Sequence, residues 1–131
     1  MLRLALALFL LSVGAAHAEE GFLPYDSDVA LSGTVFLEKH SDETTYKLKL
    51  DKPVAVGGTP ADYQNGDTFL HITVIQIIPH DEHVVARLRA FAESRVSARG
   101  WLSSGKTLAS QPTDVVLTAT EVEPVKANGS P

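Results

Sequence analysis

Between Ile72 and Phe91 the hydrophobic repeat changes period, from the two of a strand to the 3.6 of a helix, and the change falls at His80-Asp81-Glu82-His83. After it, Val84, Val85, Leu88, Phe91 and Ala92 share one helical face. Elsewhere the apolar residues alternate or run together, as strands require. A chain with one such interruption is constrained to a sheet that a single helix covers or plugs.

The strands can be placed. Val29, Leu31, Gly33, Val35 and Leu37 mark the first, in VALSGTVFLEK, and Gly33 predicts a bend or close packing. HSDET supplies a turn. TYKLKLD then returns with Tyr46, Leu48 and Leu50 inward and Lys47 and Lys49 outward, so the two strands form a hairpin. KPVAVGGTPADYQNGD, with two prolines, Gly-Gly and Asn-Gly, reads as a long surface loop. FLHITVIQII is nearly continuous in apolar residues, which predicts a strand buried on both faces and ended by Pro79. RVSARGWLSS is a fourth strand with Val96, Ala98, Gly100 and Leu102 inward, SGKTLASQPT a loop, and DVVLTATEVE a fifth strand. The order β-β-β-α-β-β over about a hundred residues predicts a five-stranded OB-like barrel, mainly β with one helix at its end. A small α+β fold or a β-sandwich is the alternative.

Residues 1–18 stand apart. Arg3, the apolar run LALALFLLSVGAA and Ala16-His17-Ala18 have the three parts of an export signal, cut before Glu19. The expectation is a periplasmic or secreted domain, free and soluble, with no membrane insertion. Removing those residues leaves 113, with 10 basic and 16 acidic side chains, a formal charge of −6. That balance disfavours nucleic acid, whose backbone is held by clustered lysine and arginine, and favours cationic partners. The chain has no cysteine, which excludes disulfides and thiolate chemistry.

The order LSGTV, LKLDKPVAV, an IQII strand, LRAFAESRVSARGWL and a closing DVVLTATEV resembles an uncharacterised family of small exported bacterial proteins, a domain of unknown function. The resemblance spans residues 28–123 and implies export and a single small β domain, with 19–27 as a lead and 124–131 as a polar tail. Members of that family carry a cysteine after the LDKP element and a Thr-Gly-His-His-His-Thr run before the last strand. Here those places read PVAVGG and LASQPTDVVL, so no role of those side chains transfers.

Three constellations remain. His80 and His83 have the i, i+3 spacing that can share a metal, with His40 or Asp81 as a further ligand. The same four residues also suit a helix start, where Asp81 or His80 caps free N–H groups and the acids oppose the helix dipole. The capping reading is preferred, with no metal and no cofactor. His40 and Asp42 read as turn residues. His71 and Thr73 share a face of the third strand, where a partly buried, hydrogen-bonded histidine is the default. The outward register places Phe36, Lys47, Lys49, Arg99 and Trp101 on strand exteriors. Aromatic and arginine side chains are the usual anchors of recognition surfaces. The opposing reading has Trp101 completing the core under a loop or the tail.

No G-x-S-x-G, H-E-x-x-H or phosphate loop occurs. The resulting expectation is a monomeric, non-catalytic binding or accessory domain for a periplasmic protein or cell-envelope saccharide. It would act through a face bearing Phe36, His71, Arg99 and Trp101, flanked by HSDET and SSGKTLASQPT. A divalent-metal protein using the histidine corner, and an inhibitor of a cationic wall-degrading enzyme, are the alternatives.

Overall fold

The computed structural model describes residues 20–107 and 113–125. The stretch read as an export signal, the middle of the SGKTLASQPT loop and the end of the polar tail lie outside the described residues. Among the described residues six strands form one sheet: β1 (Phe22–Leu23), β2 (Asp28–His40), β3 (Glu43–Val56), β4 (Phe69–Pro79), β5 (Arg95–Ser104) and β6 (Val115–Pro124). Two short helices interrupt it, α1 (Pro60–Asn65) and α2 (Glu82–Ala90), and a 3-10 turn spans Gly105–Thr107.

The pairings close on themselves. β2 runs antiparallel to β3 and to β5, β5 antiparallel to β6, β6 parallel to β4, and β4 antiparallel to β3. β1 is an addition from the lead, parallel to the end of β3. Glycine permits the tightest of these turns. β2 pairs with β3 from Gly33 onward and with β5 as far as Thr34, so the strand passes from one neighbour to the other at Gly33. A Cβ there would strike the Lys49 carbonyl oxygen, and one at Gly100 the Thr118 carbonyl oxygen. The β5–β6 register shifts between Arg99 and Gly100, which places a bulge beside the second close approach.

Alternation fills the ring. Leu31 and Val35, Tyr46, Leu48 and Leu50, and Val96, Ala98 and Leu102 are buried, as their spacing predicts. Ile72, Ile75 and Ile77 join them from β4, and Val115, Leu117, Ala119 and Val122 from β6. Complete burial of one such aliphatic side chain contributes on the order of 1.5–3 kcal/mol. Helix α2 lies against β6 and β4 and adds Val84 and Leu88 to this core, with Val85 and Phe91 at its margin. Arg87 fastens it by donating from Nε to the Val122 carbonyl at 2.7 Å.

Two sequence expectations need correction. β4 is not buried on both faces: Leu70, His71 and Thr73 are exposed while Ile72, Ile75 and Ile77 face the core. Within one closed ring a strand has an inside and an outside, so its outward β-branched residues express strand preference rather than a second core. The segment after Asp51 is not a plain loop either. β3 continues to the fully buried Val56, across register shifts around Pro53, which has no N–H to give to a ladder. Helix α1 follows, started by a capping box in which Thr59 Oγ1 accepts from Asp62 N at 3.0 Å and the Asp62 carboxylate accepts from Thr59 N at 3.2 Å. Gly66 ends it in a left-handed conformation. No helix among the described residues is long and apolar enough to cross a membrane.

Candidate functional site

The register divides the sequence-predicted binding residues into three places. Phe36 lies opposite Lys47 on the hairpin arm of β2 and β3, and Lys49 lies between Thr34 and Val74. Lys47 is largely covered there, its ammonium 2.9 Å from Glu38 Oε1, while Lys49 is exposed. His71 lies on β4, where it borders a shallow hollow with Thr73, Thr113 and Asp114. It is exposed, not partly buried as expected from its strand position. Arg99 and Trp101 lie on β5, and Trp101 is opposite Asp28, the first residue of β2. Asp28 and Phe36 are eight residues apart on β2. That is on the order of 25 Å of strand contour, so Trp101 and Phe36 lie toward opposite ends of β2.

Around Trp101 the structure gathers residues that the sequence keeps apart. The indole is half-buried, yet among the described residues it belongs neither to the core nor to the side chains packed against it. His80, arriving from the turn between β4 and α2, meets it edge-on, with ring centroids 5.7 Å apart and planes at 71°. Parallel pairing of β4 and β6 brings His80 there, since Pro79 is level with Ala119 and the Trp101 partner Thr118 adjoins it. His80 N also donates to the Ala119 carbonyl at 2.9 Å.

Asp28 accepts from Arg99 Nη2 at 2.7 Å and from Nε at 3.0 Å. That hydrogen bonding holds the Asp28 carboxyl below its ordinary range and pushes the Arg99 guanidinium above its own. Asp26, Ser27, Asp28 and Trp101 line an open hollow of about 310 Å³. The acids Asp26 and Asp28 were not singled out from the sequence. Their signal is the alternation Tyr25-Asp26-Ser27-Asp28 leading into β2, on the side of the ring where β5 ends.

The histidine corner resolves differently. Asp81 is the N-cap of α2, its Oδ1 accepting from Val84 N at 3.0 Å, and Glu82 occupies the first turn. His80 is turned toward Trp101, and His40 sits in the hairpin beside Glu38 at 3.5 Å. Among the described residues no three histidine, aspartate or glutamate side chains converge as a metal site requires.

A second cluster borders the Trp101 hollow. Tyr25, Asp26, Asp62, Asp67, Ser103 and Ser104 line a hollow of about 290 Å³. Asp67 is its centre: Oδ1 accepts from Ser104 Oγ at 3.1 Å and pairs with Lys106 Nζ at 3.2 Å, and its carbonyl accepts from the Tyr25 hydroxyl at 2.6 Å. Lys106 also donates to the Asn65 carbonyl at 2.7 Å. Burial, with Asp67, Asp62 and Asp114 nearby, raises the Tyr25 phenol well above its ordinary pKa.

No family model, no curated protein and no solved structure matches this chain.

Proposed function

We propose that this protein is an exported, monomeric, non-catalytic binding or accessory domain, and that it recognises a periplasmic protein or a cell-envelope saccharide through the outer face of β5. The carrying observation is Trp101. A large aromatic ring stands outside the core, flanked by His80 and by the Arg99–Asp28 pair, over an open hollow. Such a ring offers apolar area at small entropic cost, and the paired charges beside it supply directional polar contacts.

The scaffold is read as an OB-like barrel of five strands, β2 to β6, with α2 between the third and fourth and β1 added at an edge. The closed order of pairings and the parallel β4–β6 contact support that reading. Export through residues 1–18, and kinship with the domain of unknown function that the sequence resembles, belong to the same proposal.

Trp101 is the sole tryptophan, so its emission reports on this face alone. For the test Trp101 is replaced biosynthetically by 5-hydroxytryptophan, which is excited at longer wavelength than the tryptophans of added proteins. Titrating the domain beginning at Glu19 with soluble envelope proteins, and separately with cell-wall fragments, is expected to shift that emission saturably with one fraction. An emission unchanged by every fraction would overturn the proposal.

A further inference from the structure

Arg99, Trp101 and Ser103 are alternate residues of β5 and point outward together. Successive outward side chains on a strand are about 6.6 Å apart. The two hollows follow this row. One is bounded by Trp101 and Asp28, the other by Ser103 and Asp67, and Asp26 borders both. Together they make one trough along β5, with volumes of about 310 and 290 Å³ in its two parts.

Its acids outnumber its cations. Asp26, Asp28, Asp62 and Asp67 line it. The cations at its rim are Arg99, bound to Asp28, and Lys106, bound to Asp67 and to the Asn65 carbonyl. The Tyr25 phenol, raised by burial and by Asp67, Asp62 and Asp114, feels the same negative surroundings. A neutral sugar can stack on the Trp101 ring and donate its hydroxyls to the carboxylates, but it leaves their charge uncompensated. A guanidinium or ammonium uses both, since it is attracted to an indole face and forms charge-assisted hydrogen bonds to carboxylates.

We infer that the trough takes an extended cationic segment of a protein partner, with arginine or lysine at alternate positions, one over Trp101 and the next against Asp26. The inference rests on the proposed binding face and adds the chemistry of its partner. Period two is the repeat of an extended peptide, and it matches the spacing of Arg99, Trp101 and Ser103 along β5.

The test is a titration of the domain beginning at Glu19, followed by Trp101 emission, with the peptide Arg-Gly-Arg-Gly-Arg-Gly. An Asp-Gly peptide of the same length and chitotetraose serve as comparisons. The arginine peptide alone is expected to bind, and about tenfold more weakly in half-molar salt than at low salt. Asp26→Asn should weaken it by about fivefold or more with an unchanged melting temperature, because asparagine tolerates the left-handed backbone that Asp26 adopts (φ 59°). Equal binding of both peptides, indifference to salt, or chitotetraose binding alone would overturn the cationic partner while leaving the Trp101 face as the site. Silence toward all three probes would overturn the inference too. The envelope-fraction titration, whose ligands are not limited to these chemistries, then decides the face separately.

Discussion

His80 and Trp101 meet edge to face across the junction of three strands, 5.7 Å between ring centroids. The contact joins two features that are 21 positions apart in sequence, the corner where the hydrophobic period changes and the outward row of β5. It gives His80 a neighbour other than a metal, and it holds the Trp101 ring in place at the surface without burying it in the core.

Trp101→Ala is therefore expected to leave the fold nearly intact. An edge-on aromatic contact contributes about 0.5–1.5 kcal/mol beyond its buried area. The adjacent Leu102 is fully buried, and Leu102→Ala should cost about 2–5 kcal/mol. Urea unfolding of both variants checks this. A Trp101→Ala loss as large as that of Leu102→Ala would place the indole in the core.

The close approaches at Gly33 and Gly100 should be intolerant of any side chain. Gly33→Ala and Gly100→Ala force a methyl against the Lys49 and Thr118 carbonyls, each at a cost of about 1–3 kcal/mol or more. Gly21→Ala meets no neighbouring atom, although its positive φ adds a conformational cost of its own. Denaturation midpoints of the three variants rank them, and an unaffected Gly33→Ala would contradict the ring geometry at that point.

At the corner, Asp81 carries the structural role. Asp81→Ala should cost about 1 kcal/mol through loss of the N-cap, and Asp81→Asn, which can still accept from Val84 N, much less. Thermal unfolding with zinc, with copper and with chelator should coincide for the wild type and for a His80→Ala, His83→Ala double variant. A chelator-reversible rise of several degrees, lost in that double variant, would reinstate a metal at the corner.

Acid should weaken the ion pairs in a defined order of cause. Hydrogen bonding to Arg99, Arg95 and Lys47 lowers the Asp28, Asp51 and Glu38 carboxyls in the folded chain. A lowered folded pKa gives a contribution that is present above the unfolded value and lost as pH falls through the folded one. Stability should thus decline below about pH 4, and only modestly, since these groups are solvent-exposed. Asp28→Asn should flatten part of that decline. An unchanged acid profile in this variant would contradict the Arg99–Asp28 contribution.

The strand faces were legible because alternation is a direct record of which side is inward. Leu31 with Val35, Tyr46 with Leu48 and Val96 with Leu102 all follow it. The helix start was legible in Asp81 and Glu82 for the same kind of local reason, free N–H groups seeking an acceptor. Helix α1 was readable but unread: Thr59-Pro60, Asp62 and Gly66 supply its cap, first turn and terminus. The excess of Pro and Gly in that stretch concealed it. The site was half legible. Trp101 and Arg99 share a strand face by parity alone, whereas Asp26, Asp28 and His80 arrive through β2–β5 pairing and the parallel β4–β6 contact. Such long-range pairings leave no local trace. Parity puts Phe36 and Trp101 on strand exteriors but does not fix how far apart they lie along a strand that bends at Gly33.

Recognition at the face around Trp101 is expected to depend on that ring, while the fold's stability is not. Envelope extract passed over immobilised wild-type and Trp101→Ala domains of matched melting temperature tests it most directly. A partner retained by the wild type and lost by the variant is the expected result. The same retained set on both columns would contradict it.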